Sequence, residues 1–131
     1  RAKGLTNKVK FLGKLRDVEK VLIISDVFVL PSSTESFGLV ALEAMACATP
    51  VISTNSGGIS EVNIDGKTGF LSDVGDVSKM ANDTVKLLED KNLLDKFKHN
   101  ALVHSKSYSL HNILPQYNRI YKELCQLKKN K

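Results

Sequence analysis

The apolar positions fall in short pulses divided by polar turns, and their period changes along the chain. The first pulse, Val9-Lys10-Phe11-Leu12, alternates in part and stops at Gly13, the pattern of a short strand. Asp17 to Ile24 sets Val18, Val21 and Leu22 on one side and fits a short helix. Asp26-Val27-Phe28-Val29-Leu30 is a near-continuous β-favouring run closed by Pro31, as in a parallel strand covered on both faces. Ser32-Ser33-Thr34-Glu35-Ser36 is a polar loop of capping residue types. Gly38 to Ala48, rich in Ala, Leu and Met, is helical by propensity. Pro50-Val51-Ile52-Ser53 is another buried strand, with proline at its first position.

After Gly57-Gly58 the pattern predicts a short helix near Ser60 to Asn63, a turn at Asp65-Gly66 and a strand at Thr68-Gly69-Phe70-Leu71. Asp76 to Glu89 carries Val77, Met80, Ala81, Val85 and Leu88 at helical spacing, with Asp76 as N-cap. Asn92 to Ser107 is a second helix. Ser109 to Leu127 is a third, with Ile113, Leu114, Tyr117, Ile120, Tyr121 and Leu124 three and four apart; Pro115 inside it should kink or delay its start. Lys128-Lys129-Asn130-Lys131 reads as a solvated tail. Strands alternating with helices, then three helices, predict an α/β fold: a parallel sheet with helices on both faces.

Composition narrows the class without changing that picture. The 131 residues suit one domain, and 42% hydrophobic with 25% charged residues is ordinary for a globular protein. No run approaches the roughly 18 apolar residues a membrane span needs. No signal peptide is expected, because the stretch Val21 to Ile24 is too short for an h-region. The chain opens on Arg1 rather than methionine, as a piece of a longer protein would. Cys47 and Cys125 match no metal or redox spacing, so a reducing, cytoplasmic location is expected. The net charge of +5 is uneven: residues 1–20 carry +5, residues 21–90 carry −7 and residues 91–131 carry +7. A global basic character is therefore a poor guide to nucleic acid, and no nucleic-acid partner is expected.

In open α/β sheets ligands bind beyond the carboxyl ends of the strands. There the run Pro31 to Gly38 leads from a strand into a helix. The N–H groups of Phe37, Gly38, Leu39 and Val40 would point out of that helix end and favour a phosphate. Gly38 would let the anion approach the backbone. Glu35 precedes the helix; Glu43 lies about 7–8 Å along it and is the only charge in the run Gly38 to Ala46. Carboxylates accept two hydroxyl protons each and suit diols, so the pair suits a nucleotide-sugar. Two plainer readings stand beside this one: Glu35 as an acid favoured near a helix start, and Glu43 on an exposed strip.

The run Glu35-Ser36-Phe37-Gly38-Leu39-Val40-Ala41-Leu42-Glu43-Ala44-Met45-Ala46 resembles the donor-site signature of family 4 retaining glycosyltransferases. Phe11-Leu12-Gly13 before it resembles that family in the same order, as do Pro50-Val51-Ile52, Gly57-Gly58-Ile59-Ser60-Glu61-Val62 and Gly66-Lys67-Thr68-Gly69-Phe70-Leu71 after it. The resemblance implies the C-terminal half of a GT-B fold, an incomplete Rossmann-like parallel sheet with flanking helices. It implies one donor-binding domain over residues 1–131, lacking its first two strands and the N-terminal acceptor domain. It implies transfer from a UDP-sugar to a small acceptor with retention and without a metal or other cofactor. Glu35 would be the catalytic-site residue holding donor-sugar hydroxyls. Ser36, Phe37, Gly38, Leu39 and Val40 would meet sugar and pyrophosphate, Glu43 the ribose, and Lys14 and Leu15 would lie near the base. Val62 to Gly66 and Phe70 to Val77 are most similar to the malate-glycosylating branch of bacillithiol synthesis, which uses UDP-N-acetylglucosamine; UDP-glucose and GDP-mannose are the alternative donors.

The resemblance has departures. Ala48 stands where the family usually has Gly, at a cost of about 1 kcal/mol if the turn needs positive φ. The family's pyrophosphate-binding Arg and Lys precede the Phe-Leu-Gly strand, and Arg1 and Lys3 do not match them. Missing strands would leave the edge of Val27 to Leu30 apolar and unpaired, so the isolated chain is expected to self-associate or rearrange. His99, His104 and His111 have no metal-like helical spacing; Cys47, Tyr108, Tyr117 and Tyr121 read as packing, and Gly57-Gly58 as a tight turn. Two rival functions are a non-catalytic nucleotide-sugar-binding module and a nucleic-acid-binding domain using the basic flanks. The acidic middle argues against the second.

Overall fold

The computed structural model describes residues 4–5 and 7–129. Arg1, Lys3 and the end of the expected tail, Asn130-Lys131, lie outside them. In chain order the elements are α1 (Glu19–Leu22), β1 (Phe28–Leu30), α2 (Leu39–Ala46), β2 (Val51–Thr54), α3 (Ile59–Val62), β3 (Gly69–Ser72), α4 (Val77–Glu89), α5 (Lys91–Ser105), a 3₁₀ turn (Lys106–Tyr108) and α6 (Leu110–Lys129). The three strands form one parallel sheet in the order β1-β2-β3. Val29 sits opposite Ile52, and Ile52 opposite Phe70.

β2 is central and every residue in it is buried. Successive side chains of a strand point to opposite faces, and β2 divides the core in that way. Val51 joins Leu22, Ala41, Ala44, Met45, Ile59, Val62 and Ala101 in one cluster. Ile52 joins Met80, Leu87, Leu94 and Phe97 in the other. Helices therefore cover both faces, as the α/β pattern predicts, and α5 contributes to both clusters.

Several local expectations are corrected. Val9 to Leu12 is not a strand; it runs exposed, with Phe11 95% accessible. A strand exists only by pairing, and no neighbour strand lies beside it among the described residues. Hence three strands form, not four. β1 is the unpaired sheet edge that the sequence leads one to expect, but it is not covered on both faces: Val29 is 42% exposed. Of the apolar set expected on α4, Met80 is buried, whereas Val77, Ala81, Val85 and Leu88 face outward and Leu87 is buried instead. The sequence period locates an apolar stripe on that helix, but the core covers only its Met80 edge, together with Leu87. α6 begins at Leu110, so Pro115 does not delay it. The start is secured ahead of the proline, where Asn112 and Ile113 N–H groups donate to the Ser109 carbonyl. Tyr117 and Tyr121 are exposed, not packed; Tyr108 is half-buried.

Asp76 caps α4 as expected, accepting from the Lys79 N–H at 2.9 Å. Ala48 has φ 58°, so the turn after α2 does adopt the left-handed conformation. That costs an L-residue with a Cβ about 1–2 kcal/mol. Ala48→Gly is therefore expected to stabilise the protein by about 1 kcal/mol, read as a higher denaturant midpoint with an unchanged m-value. A lower midpoint would show that no strain is relieved there.

Candidate functional site

Two loops leave the carboxyl edge of the sheet side by side, one between β1 and α2 and one between β2 and α3. The first ends on Gly38, which precedes α2 with φ 91°. None of the polar residues of the loop caps the helix with a side chain, so the expected capping role fails. The Gly38 carbonyl accepts from the N–H groups of Ala41 and Leu42. No partner among the described residues receives the N–H of Phe37, Gly38, Leu39 or Val40. The helix end therefore presents free donors and the positive end of its dipole, as an anion site requires.

The expected reason for Gly38 was access for an anion; the structure adds two others. Its φ is positive, and a Cβ there would lie 2.3 Å from Ile59 Cδ1. Gly57-Gly58 is likewise more than a turn. A Cβ on Gly57 would lie 1.9 Å from the Glu35 carbonyl oxygen, and one on Gly58 2.4 Å from that of Ser36.

α2 buries Ala41, Ala44 and Met45 and packs Leu42 partly against the same core, which leaves Leu39, Glu43 and Ala46 exposed. This answers why a carboxylate tolerates an apolar run: Glu43 is exposed. It lines a groove of about 440 Å³ with Leu39, Leu102, Lys106 and Tyr108 among others. Phe37 and Leu39 line an adjoining apolar groove against Tyr108, Ile113 and Tyr117. The Phe37 ring meets Tyr108 edge-on at 6.1 Å, and the Tyr108 hydroxyl donates to the Glu61 carbonyl at 2.8 Å. Glu35 is half-buried and Ser36 exposed, and neither lines these two grooves. Lys14 and Leu15 are exposed, with no hydrogen bond or ion pair joining them to α2 among the described residues. Lys106 is a cation that sequence reasoning did not place at this site, because 60 positions separate it from Ala46 and only the packing of α5 on α2 brings it there.

Cys47 packs against the core. Burial pushes its thiol upward, and the charges of Glu19 and Glu43 add to that. A raised pKa lowers the thiolate fraction, which is the reactive form. Cys47 should therefore alkylate more slowly than the exposed Cys125 at pH 8, read by mass spectrometry after timed iodoacetamide treatment. Faster modification of Cys47 would contradict its place in the core. Among the described residues no helix is long and apolar enough to cross a membrane.

Comparison with known proteins gives the family and the fold. The family model of the group 1 glycosyl transferases matches residues 1–103. The chain is 40% identical over 127 residues to N-acetyl-alpha-D-glucosaminyl L-malate synthase of Bacillus anthracis, covering 96% of this chain and 33% of that protein. It is 38% identical over 124 residues to D-inositol 3-phosphate glycosyltransferase of Corynebacterium urealyticum, covering 92% and 29%. Among solved structures, Anabaena Alr3699/HepE in complex with UDP superposes with a TM-score of 0.86 at 31% identity, covering 92% of this chain and 34% of that one. The chain thus spans about a third of the length of these relatives. The three-stranded parallel sheet covered by helices on both faces is an incomplete Rossmann-like part of a GT-B fold, and the chain belongs to the group 1 glycosyl transferases.

Proposed function

We propose that this chain is the donor-binding domain of an enzyme that transfers a sugar from a UDP-sugar to a small acceptor held by an N-terminal domain outside these residues. The observation that carries it is the free N–H set of Phe37 to Val40 at the start of α2, with Glu35 before it and Glu43 on the same helix. The Alr3699/HepE complexes with UDP and with UDP-glucose support a nucleotide-sugar donor. The malate synthase relative favours N-acetylglucosamine as the sugar.

In this reading Glu35 accepts hydrogen bonds from donor-sugar hydroxyls, Ser36 to Val40 meet the sugar and pyrophosphate, and Glu43 accepts the two ribose hydroxyls. Negative charge grows on the leaving UDP as the glycosidic bond breaks. Fixed backbone donors at a helix end stabilise that charge without reorganising. Lys14 and Leu15 meet the base. Transfer proceeds with retention and without a metal.

Thermal shift of the full-length protein with UDP-N-acetylglucosamine, UDP-glucose and GDP-mannose tests the donor, because a ligand that binds the folded state raises apparent stability by mass action. UDP-N-acetylglucosamine should give the largest shift. A larger shift with GDP-mannose would overturn the assignment. Product formation with an inverted anomeric centre, read by proton coupling constants, would overturn retention.

A further inference from the structure

The loop that carries Glu35 has no regular structure, yet three of its carbonyls are held from one side. Thr54 Oγ1 donates to the Ser32 carbonyl at 2.6 Å, Ser56 Oγ to that of Ser33 at 2.9 Å, and the Gly58 N–H to that of Glu35 at 3.1 Å. All three donors come from residues 54–58, which continue the fully buried central strand β2. The same segment is tied on its other side. The Asn55 N–H donates to the Ser72 carbonyl at 2.9 Å, and Asn55 Nδ2 donates to Asp73 Oδ1 at 2.9 Å. The glycines set the spacing, since a Cβ at Gly57 or Gly58 would overlap the carbonyls of Glu35 and Ser36. Ile59 then closes on Gly38, at the start of α2.

We infer that residues 54–58 form a positioning strap that fixes Glu35 relative to the N-terminus of α2. The inference rests on the reading of Glu35 as a donor-sugar contact and adds that Thr54, Ser56 and Gly58 act through it. The sheet centre is the most constrained part of the molecule, and the strap passes that constraint to a loop that would otherwise sample many conformations. Displacing a substrate-positioning group by about 1 Å can cost on the order of 100-fold in rate. In this reading UDP depends chiefly on Glu43 and the N–H groups opening α2, whereas the strap's hydrogen bonds go to the carbonyls of Ser32, Ser33 and Glu35 ahead of them.

The test uses the full-length enzyme with Thr54→Val and Ser56→Ala, each alone and combined with Glu35→Ala, and with Thr54→Ser as the conservative control. Amide hydrogen exchange at Gly58, whose N–H is donated to the Glu35 carbonyl, kcat and KM for UDP-N-acetylglucosamine, and UDP affinity by calorimetry are measured. Thr54→Val and Ser56→Ala should speed exchange of the Gly58 amide and lower kcat on the order of tenfold, with a smaller effect on UDP affinity than on kcat. Thr54→Ser should behave as the parent. In the Glu35→Ala background the strap substitutions should cost nothing further, the signature of residues acting as one unit. Unchanged exchange, or losses that simply add to that of Glu35→Ala, would overturn the strap. A Glu35→Ala variant with full activity would instead overturn the donor-site reading, and exchange alone would then decide the strap.

Discussion

Replacing Glu43 by alanine in the full-length enzyme is expected to weaken UDP binding on the order of 10- to 100-fold while leaving the fold intact. The range follows from a hydrogen bond to a charged group being worth about 1.5–3 kcal/mol. The fold is safe for a structural reason. Glu43 is exposed and pairs with no cation among the described residues. α2 is held by Ala41, Ala44 and Met45 on its other side, and alanine is the better helix former. The loss should be equal for UDP and for the UDP-sugar, because the ribose is common to both. Glu35→Ala should discriminate, weakening the UDP-sugar and sparing UDP. Calorimetry with both ligands on both variants reads this directly. UDP affinity unchanged by Glu43→Ala would remove Glu43 from the site and return it to an exposed strip of helix.

Much of the scaffold of this site was legible in the sequence. Propensity located α2, and the Pro-Val-Ile run located β2. The Asp76 cap followed from residue type alone, since the capping interaction is local. Positive φ at Ala48 was legible by a different route, through the glycine expected there. What failed depended on partners. Val9 to Leu12 has the composition of a strand but, among the described residues, no strand beside it to pair with, and on α4 the core covers only the Met80 edge of the expected stripe. Composition reports which segments are suited to an element. Which face is covered is decided by neighbours far away in sequence.

The candidate site divides in the same way. Glu35, Phe37 to Val40 and Glu43 lie within nine positions, so one short run exposes the whole pattern. Lys106 and the strap do not share that run. Thr54, Ser56 and Gly58 carry no signal of ligand chemistry, and their role follows only from the Ser32, Ser33 and Glu35 carbonyls they meet across the sheet edge. Gly57-Gly58 was visible as a pair of glycines, but a turn and a close approach to another backbone read alike in sequence.

Asn63 likewise carries no signal of its role in the sequence, and replacing it is expected to cause a large loss of stability. The sequence offers it as a polar residue at the end of a short helix. In the structure it is fully buried beside the start of β2 and β3. Its Nδ2 donates to the Val51 carbonyl at 3.0 Å, to Ser53 Oγ at 2.9 Å and to the Phe70 carbonyl at 3.2 Å. Its Oδ1 accepts from Thr68 Oγ1 at 3.0 Å. Gly69 adjoins this cluster because a Cβ there would lie 1.7 Å from the Val51 carbonyl oxygen and 2.7 Å from Asn63 Oδ1. Leucine at position 63 would fill the space and strand several polar atoms away from water, each costing about 1–3 kcal/mol. Asn63→Leu is therefore expected to lose about 3–5 kcal/mol, a large share of the roughly 5–15 kcal/mol that holds a domain folded. Asn63→Asp separates hydrogen bonding from packing. It keeps the volume but sets a carboxylate oxygen against the Val51 and Phe70 carbonyls, so its loss should match or exceed that of leucine. Denaturant unfolding of both variants gives the comparison. An Asn63→Asp midpoint close to that of the parent would mean that size alone secures this position and that the buried network contributes little.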